Sequence, residues 1–299
     1  MSITVRAPAK INLHLGVGSV RGDGFHPLIT VYQAIGIYDD VTVTEADEWS
    51  IHTIADAHVD LTTVPDTDDN IAIRAGQLLA AHHGVDRAAH IEVAKSIPVA
   101  GGLAGGSADA AAALVALDRL WDLDTSDEIL LSLAAELGSD IPFSLVGGTA
   151  LGTGRGEVVE PLPNSANVWW IVVPHEIGVS TGGVYRHFDV VVPEGTEPSS
   201  ADELRIALAE GDLDAVRTSL HNDLAVATYA LRPDLRVRAE QLSEWTGVPT
   251  LLSGSGPTQL LMYPNAESAR QAAETLTGHD IAHVLAPAPV AGAHVISYA

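Results

Sequence analysis

Apolar and polar residues alternate along the start of the chain, which is the pattern of half-buried strands. Alternation over 3–7 and again over 11–15 predicts two short strands that are broken at Pro8. Lys10 and Asn12 fall on one face of the second strand, because successive side chains point to opposite faces. This polar pair is either an exposed strand edge or the wall of a site.

The same alternation predicts further strands, with a turn at Tyr38-Asp39-Asp40 between the first two: 31–37, 40–44, 50–54 and 90–100. Apolar residues spaced three to four apart predict helices, the first of them capped by Asn70 or Asp69: 71–83, 107–121 and 126–137. A cap is the simple structural role for Asn70.

The pattern of apolar and polar residues changes after about residue 160. The near-continuous apolar run at 168–174 predicts a strand buried on both faces. The segment 251–263 is typical of a strand, a glycine turn and a second strand, and the last ten residues predict a final strand. Helices are predicted between and after these strands: 201–211, 213–231, 231–245 and 266–276. This alternation predicts a second α+β domain, and the expected domains are 1–160 and 161–299.

The segment 98–114, PVAGGLAGGSADAAAAL, joins a glycine-rich loop to an alanine-rich helix. Free backbone N–H groups at the positive end of a helix dipole favour an anion such as phosphate. Ser107 stands where it could cap the helix and offer a hydroxyl to a phosphate or a metal. The alternative is a glycine-rich turn before a buried helix.

Composition narrows the function classes. The chain of 299 residues is 46% hydrophobic and 18% charged, which suits a globular protein with a sizeable core. Its net charge of −24 argues against nucleic acid and anionic membranes as partners. Without cysteine there is no disulfide or thiolate site, and a cytoplasmic location is expected since the start lacks an apolar signal segment. Lys10 and Lys95 are the two lysines.

Several loops contain residues that could bind a ligand or take part in catalysis. Phe25 and His26, in RGDGFHPL, either pack or contact a ligand. Asp140, in GSDIPF, is either a helix cap or a carboxylate base in a polar pocket. Arg155, in a second glycine loop, could steer a phosphate. The Walker A, dinucleotide, nucleophile-elbow and H-E-x-x-H motifs do not fit the chain. The features that remain are a glycine-rich anion site, a strand lysine, an aspartate in a loop and a second glycine loop. Together they favour phosphoryl transfer, which depends on positioning the reactants and stabilising charge.

Five motifs in the same order resemble the GHMP kinase superfamily. APAKINLHLGV resembles its opening, PVAGGLAGGSADAAAAL its phosphate-binding motif, GSDIPF its aspartate motif and LLSGSGPTQLLM its third motif. RGDGFHPL resembles the substrate loop of the branch that phosphorylates a cytidyl derivative of methylerythritol. Other superfamily kinases, acting on mevalonate or homoserine, and a catalytically silent nucleotide-binding protein are the alternatives.

The resemblance implies an α+β, two-domain GHMP kinase fold. Its N-terminal domain would be ribosomal S5 domain 2-like, with a mixed sheet and a left-handed βαβ crossover, and its C-terminal domain ferredoxin-like. It implies ATP-dependent phosphorylation of the 2-hydroxyl of the cytidine diphosphate derivative of methylerythritol in the non-mevalonate isoprenoid pathway. ATP and Mg²⁺ are the expected cofactors, and the protein would be a monomer or weak homodimer.

The resemblance also implies the donor site. The ATP phosphates would lie on the glycine loop, built by Pro98, Gly101, Gly102, Leu103, Gly105, Gly106 and Ser107. Asn70 and Lys95 would line the adenine pocket. Ser107 is the expected hydroxyl near the magnesium ion. The glutamate metal ligand of the mevalonate kinase branch has no equivalent that could be placed here.

The acceptor site follows from the resemblance in the same way. Asp140 would deprotonate the acceptor hydroxyl, and Lys10 would lower the pKa of that hydroxyl and hold Asp140 ionised. Other residues would bind the rest of the acceptor: Asn12 its methylerythritol diphosphate portion, His26 its cytosine by a hydrogen bond, Phe25 and Tyr185 the two cytosine faces, with Thr181 nearby. Position 25 is Phe where the family usually has Tyr, which keeps the ring and loses a hydroxyl.

Overall fold

The computed structural model describes residues 1–99 and 101–299. Its strands, numbered in chain order, are β1 (Ser2–Val17), β2 (Leu28–Ala46), β3 (Ser50–Ala55), β4 (Ala88–Lys95), β5 (Thr149–Thr153), β6 (Val158–Pro161), β7 (Val168–Val173), β8 (His221–Asn222), β9 (Thr250–Leu252), β10 (Gln259–Tyr263), β11 (Val284–Ala288) and β12 (His294–Tyr298). Its helices are α1 (Ile71–His83), α2 (Gly105–Trp121), α3 (Asp127–Leu137), α4 (Ile141–Val146), α5 (Thr181–Val191), α6 (Asp202–Glu210), α7 (Leu213–Thr218), α8 (Ala225–Leu231), α9 (Pro233–Thr246) and α10 (Ala266–Gly278).

The first sheet has the strand order β12-β1-β2-β4-β3, with β5 on β2, β6 on β5 and β8 on β1. β3 and β4 run parallel and are joined through α1, while β1, β2 and β4 are antiparallel. The expected mixed sheet is therefore confirmed. The hand of the crossover stays an expectation.

The predicted breaks in the first two strands are wrong. β1 runs unbroken through Pro8, because the register with β2 shifts between Pro8 and Ala9 and this irregularity accommodates the missing N–H. β2 likewise continues through 38–40. Asp39 is fully buried there, and Lys95 on β4 donates a hydrogen bond to its carboxylate. The charged residue that suggested a turn is thus paired across the sheet.

Alanine dominates α2 because the helix is enclosed. Its alanines at 108, 110–113 and 116 are fully buried between the sheet and α1, and small side chains allow such close approach. The helix begins at Gly105, two residues earlier than predicted. The strand predicted over 90–100 ends at Lys95, and residue 100 lies outside the described residues.

The second sheet has the order β11-β7-β10-β9 and is antiparallel throughout. Counted along the chain, these strands are fourth, first, third and second, with helices before β9 and before β11. This is the ferredoxin-like arrangement that was expected. β7 is buried on both faces, as predicted, because Ile171 belongs to one core and Trp170 to the other.

Later segments also contribute to the first sheet. β12 pairs with β1, and β8 runs parallel to β1 at His14 and Leu15. The predicted helical region 213–231 is therefore divided into α7, β8 and α8, and β11 had not been predicted. The domain limits 1–160 and 161–299 stay a prediction. Within the described ranges, no helix combines the length and apolar character needed to cross a membrane.

Candidate active site

A cleft of about 830 Å³ opens between the first sheet, the start of α2, α5 and the β9–β10 loop. It brings together ten residues singled out from the sequence, which come from six separate segments of the chain: Lys10, Asn12, Phe25, His26, Gly102, Ser107, Asp140, Arg155, Thr181 and Tyr185. The cleft is therefore the place where the predicted donor and acceptor sites would meet.

Lys10 and Asp140 form an ion pair in this cleft, with Lys10 Nζ 3.4 Å from Asp140 Oδ2. The Lys10 side chain is 7% exposed and that of Asp140 33%. Asp140 occupies the N-cap position of α4, yet its side chain makes no capping hydrogen bond. Its carboxylate instead faces the lysine, so the cap does not explain this residue. A carboxylate and an ammonium group so placed can accept a proton and stabilise the resulting oxyanion.

A chain of hydrogen bonds through Thr30 and Asn12 holds the Lys10 side chain in place. The hydroxyl of Thr30 donates to the carbonyl oxygen of His14 at 2.7 Å, so it accepts from Asn12 Nδ2 at 2.8 Å. The amide oxygen of Asn12 must then face Lys10, whose Nζ donates to it at 2.9 Å. Asn12 is only 2% exposed. Its side chain thus orients Lys10, and contact with the acceptor diphosphate stays a prediction.

The glycine loop presents the free N-terminus of α2 to the cleft. Ala104, with φ +57°, is the N-cap residue and has no side-chain capping bond, so the prediction that Ser107 caps the helix is wrong. The first intrahelical bond is donated by Ala108, which leaves the amides of Gly105, Gly106 and Ser107 without helical partners. Ser107 lies in this first turn with its side chain half-buried in the cleft wall.

Two other segments hold the loop in place. The backbone N–H of Lys10 donates to the carbonyl oxygen of Leu103 at 3.0 Å. Gly102 has φ +77°, and a Cβ there would lie 2.5 Å from the carbonyl oxygen of Ser253, so this close approach requires glycine. Pro98 and Leu103 are buried beneath the loop, and Gly101 and Gly105 complete its backbone. These residues shape the loop rather than line the cleft with side chains.

The β9–β10 loop is itself held by Thr181 and by Asn222, which the sequence analysis had not assigned to a site. Asn222 Nδ2 donates to the carbonyl oxygens of Leu252 and Gly254 at 2.9 and 2.7 Å. The hydroxyls of Thr181 and Ser255 lie 3.0 Å apart and join the start of α5 to the loop. Asn222 could have been found from its position in a polar triplet between apolar segments.

His26 is nine-tenths buried at the far end of the cleft. Its Nδ1 bonds to the carbonyl oxygen of Gly18 at 2.8 Å, so Nδ1 carries the proton and Nε2 of a neutral ring is an acceptor. Nε2 lies 3.6 Å from Asp189. The ring of Tyr185 lies 4.9 Å from that of His26 at a 38° tilt, and burial raises the pKa of the Tyr185 hydroxyl.

Phe25 is 47% exposed, and the guanidinium of Arg155 lies 4.7 Å from its ring centroid. Arg155 also lies 3.5 Å from Glu157. Phe25 and Tyr185 both line the cleft, but the sandwich of a base between them stays a prediction.

The side chains of Lys95 and Asn70 do not line this cleft, and their place in the adenine pocket stays a prediction. Lys95 Nζ is buried and donates to Asp39 and Asp109, each at 2.6 Å. Asn70 caps α1 by accepting from the N–H of Ala72, which was its simple structural role. Both polar groups are therefore committed internally: Lys95 joins β2 to α2, and Asn70 holds the start of α1.

Magnesium binding can be judged from the donors present. Among the described residues no group of three or more His, Asp or Glu side chains is arranged to hold a metal. Ser107 and Asp140 are oxygen donors in the cleft wall. This sparse set fits Mg²⁺, which is commonly held by one or two protein oxygens together with substrate phosphates.

Tyr32 was missed because its position on β2 predicts an ordinary core residue. It is 2% exposed, lines the cleft and packs against Phe143 with ring centroids 4.9 Å apart. Arg186 and Asp189 of α5 also line the cleft and were not predicted.

The whole chain is similar to several known proteins. Residues 70–148 match the family model described as GHMP kinases N terminal domain. A Nocardioides protein named 4-diphosphocytidyl-2-C-methyl-D-erythritol kinase is 56% identical, with 99% of this chain and 100% of the relative covered. A Thermobifida fusca protein of the same name is 46% identical, with 99% and 98% covered.

Solved structures give the same result. A crystal structure of 4-(cytidine 5'-diphospho)-2C-methyl-D-erythritol kinase matches with a TM-score of 0.78 and 30% identity, over 97% of this chain and 100% of the other. Homoserine kinase from Cytophaga hutchinsonii matches with a TM-score of 0.76 at 20% identity, over 99% and 97% of the chains. The second match supports the fold alone.

Proposed function

The chain belongs to the 4-diphosphocytidyl-2-C-methyl-D-erythritol kinase family of GHMP kinases, and on that premise we propose that it transfers the γ-phosphoryl group of ATP to the 2-hydroxyl of this cytidyl compound. The reaction belongs to the non-mevalonate route to isoprenoid precursors. The observation that carries the proposal is the Lys10–Asp140 pair, 3.4 Å apart in a cleft beside the N-terminus of α2.

The donor end of the cleft suits a nucleoside triphosphate. The free amides of Gly105, Gly106 and Ser107 lie at the positive end of the α2 dipole and would bind the ATP phosphates. Binding there needs no Walker lysine, because backbone N–H groups supply the donors. Contact of adenine with Asn70 and Lys95 would then involve backbone or apolar atoms, since their polar side-chain groups are occupied.

Phosphoryl transfer itself needs a base and a cation at the acceptor hydroxyl. Asp140 would take the hydroxyl proton while the oxygen attacks the γ-phosphorus, and the bond to the β-phosphate oxygen breaks to release ADP. The ammonium group of Lys10 would stabilise the developing alkoxide, with Asn12 holding the ammonium in place. Neither role requires a covalent enzyme intermediate.

Magnesium would complete the donor site, with the Ser107 hydroxyl as its protein ligand. When bound, the ion neutralises charge on the transferred phosphate.

The other end of the cleft would recognise the cytidine diphosphate portion. With the ring neutral, Nε2 of His26 would accept a hydrogen bond from the exocyclic amine of cytosine, and Phe25 and Tyr185 supply aromatic faces. Arg155 and Arg186 are cations of the cleft wall and suit a diphosphate. In a chain of net charge −24, such local positive charge favours phosphates at this one place.

We further propose that the enzyme is cytoplasmic and works as a monomer or weak homodimer without nucleic acid or membrane partners. Its strongly acidic surface supports the last point, because such partners are polyanionic. Size-exclusion chromatography with light scattering over a concentration series tests the assembly state. A stable tetramer would contradict it.

A substrate panel tests the proposed function. ADP formation is measured with ATP, Mg²⁺ and either the cytidyl compound, mevalonate or homoserine. We expect release of ADP that depends on the cytidyl compound and is at least about a hundredfold slower with the other alcohols, because each lacks the groups that His26 and the cleft arginines would bind. Equal rates with all three, or ADP release without an acceptor, would contradict the proposal.

A further inference from the structure

Asp189 is a carboxylate of the cleft that the proposed reaction does not use. It lies on α5 four positions after Tyr185, so the two side chains share one face of that helix, and both line the cleft. The Asp189 side chain is 36% exposed, so a ligand in the cleft can reach its carboxylate. The proposed cytidyl substrate is itself an anion, and a carboxylate beside it is unfavourable unless the substrate offers that carboxylate a hydrogen-bond donor.

The packing of α5 places Asp189 beside the ring of His26. Phe188 is 2% exposed in a small core that it shares with Val17 of β1, and its ring meets the His26 ring edge-on at 6.2 Å. Oδ1 of Asp189 lies 3.6 Å from Nε2 of His26, which is too long for a direct hydrogen bond. The two atoms therefore border the same part of the cleft without satisfying each other.

These two atoms suit the edge of cytosine that carries the exocyclic amine. The amine has two N–H donors, and a carboxylate that accepts from it is a common pairing in nucleic-acid recognition. An amine nitrogen about 3 Å from both atoms would donate one N–H to Asp189 and the other to a neutral His26 ring. A protonated ring would instead donate to the neighbouring ring nitrogen of cytosine and leave the amine to Asp189. The carboxylate accepts from the amine in both cases.

Uracil has the opposite pattern along the same edge. A carbonyl oxygen replaces the amine, and the neighbouring ring nitrogen carries a hydrogen. An ionised carboxylate is an acceptor only, so the uracil oxygen would face Asp189 with no hydrogen between them. A site built to pair with an N–H group discriminates strongly against a ligand that lacks it, because its polar groups are then left unpaired.

We propose that Asp189 is a specificity-determining residue: its carboxylate accepts a hydrogen bond from the exocyclic amine of cytosine and thereby selects the cytidyl substrate over a uridyl one. This inference rests on the proposed function, because it names the group that recognises the base of that substrate. Asp189 lies with His26 at the far end of the cleft, so it should act on substrate binding and not on the transfer step.

The first test compares the cytidyl substrate with its uridyl analogue, in which a carbonyl oxygen replaces the amine. We expect wild-type kcat/KM to be at least about a hundredfold lower for the uridyl compound. Asp189→Asn can turn its amide N–H toward the uracil oxygen, so its preference should fall below about tenfold. The change should lie in KM, and kcat with the cytidyl substrate should stay within about threefold of wild type.

Glu194→Gln is the matched control for this comparison. It also neutralises a carboxylate, but at an exposed position just after α5 and outside the cleft. Its preference for the cytidyl substrate should equal that of the wild type. A loss of preference in Glu194→Gln as large as that in Asp189→Asn would overturn the proposal, because net charge alone would then explain the effect.

A second measurement does not depend on turnover. Isothermal titration calorimetry compares cytidine 5'-diphosphate with uridine 5'-diphosphate while a non-hydrolysable ATP analogue fills the donor end of the cleft. Wild type and Glu194→Gln should bind the cytidine compound at least about a hundredfold more tightly. Asp189→Asn should bind the two compounds within about tenfold of each other.

A merely structural role for Asp189 would give a different result. If the carboxylate only held His26 in place, Asp189→Asn would weaken the binding of both diphosphates alike and keep the wild-type preference. A preserved preference in either measurement would therefore overturn the proposal, as would a wild type that binds both diphosphates equally.

The two hypotheses fail in different ways. If the wild type does not phosphorylate the cytidyl compound, the proposed function fails, and the calorimetry still decides whether Asp189 distinguishes the two bases. If the wild type is active and Asp189→Asn keeps the full preference, only the specificity role fails.

Discussion

The hydroxyl of Ser253 donates a hydrogen bond to the carbonyl oxygen of Gly102 at 2.9 Å and thereby joins loops that are 151 positions apart in the chain. Ser253 is fully buried. The β9–β10 loop therefore supports the glycine loop, and the second sheet contributes to the proposed donor site through this support.

Removing this support should weaken ATP binding. Ser253→Ala deletes the bond and should raise KM for ATP about five- to tenfold, since one net hydrogen bond contributes about 1 kcal/mol. Steady-state kinetics with varied ATP provide the measurement. Ser268→Ala is the matched control, because it also removes a hydroxyl bonded to a backbone carbonyl, but on α10. An unchanged KM for ATP in Ser253→Ala would show that the glycine loop keeps its shape without this hydrogen bond.

Asn12 should act on turnover rather than on ATP binding. Asn12→Leu removes the oxygen that accepts from Lys10 Nζ and leaves the ammonium free to move. We expect kcat to fall about 10- to 100-fold, because small misplacements of a catalytic group have effects of that size. KM for ATP should stay within about twofold of wild type. The idea fails if kcat is preserved while only KM for the acceptor rises.

The buried Asp39–Lys95–Asp109 cluster should make stability depend on pH. Burial raises the pKa of Asp109 to about 8, and its Oδ1 has no hydrogen-bond partner among the described residues. A carboxyl group whose folded pKa is raised adds stability below its unfolded pKa near 4, and that contribution is lost as the pH rises toward 8. Asp109→Asn removes this titration, so its unfolding free energy relative to wild type should increase between pH 5 and pH 8.

Urea unfolding at these two pH values provides the measurement, and Asp66→Asn corrects for the loss of one acidic group at the exposed surface. Lys95→Met should instead destabilise the protein by about 3–5 kcal/mol, because it leaves the fully buried Asp39 carboxylate without its cation. A pH-independent difference for Asp109→Asn would contradict the buried-carboxyl account.

Phe25 should contribute to acceptor binding through its ring. Phe25→Ala removes the face that lies under Arg155 and should raise KM for the cytidyl compound about tenfold, consistent with about 1–2 kcal/mol for an aromatic contact. Phe25→Tyr restores the usual residue of the family and should remain within about twofold of wild type. Equal KM values for all three proteins would show that the cytosine of the acceptor binds elsewhere in the cleft.

The periodicity of hydrophobic residues correctly predicted the strands and helices whose surroundings are alike along their length. β7 is buried on both faces and α1 has a clear cap, so local sequence sufficed for both. Motif order, read as a family resemblance, placed Lys10 and Asp140 in one site, and the structure confirms that they meet. Periodicity alone had left each of them with a structural alternative.

The wrong and missed predictions have a common cause: the residues that contact these positions are distant in sequence. Asp39 suggested a turn because its buried cation, Lys95, comes from another strand. Pro8 suggested a break because the shift in register that accommodates it is a property of the pair of strands. Tyr32 was missed because Gly156, which leaves room for its hydroxyl, lies far along the chain.

The most direct test of the account is a single-turnover measurement of phosphoryl transfer by Asp140→Asn. Rapid-quench experiments with excess enzyme and labelled ATP follow transfer to the cytidyl acceptor, while ATP affinity is measured separately. Asp189→Asn is the control, since it neutralises another carboxylate of the same cleft. The account predicts that Asp140→Asn binds ATP within about twofold of wild type and transfers phosphate about 10²- to 10⁴-fold more slowly. Transfer by Asp140→Asn as fast as that of Asp189→Asn would contradict it.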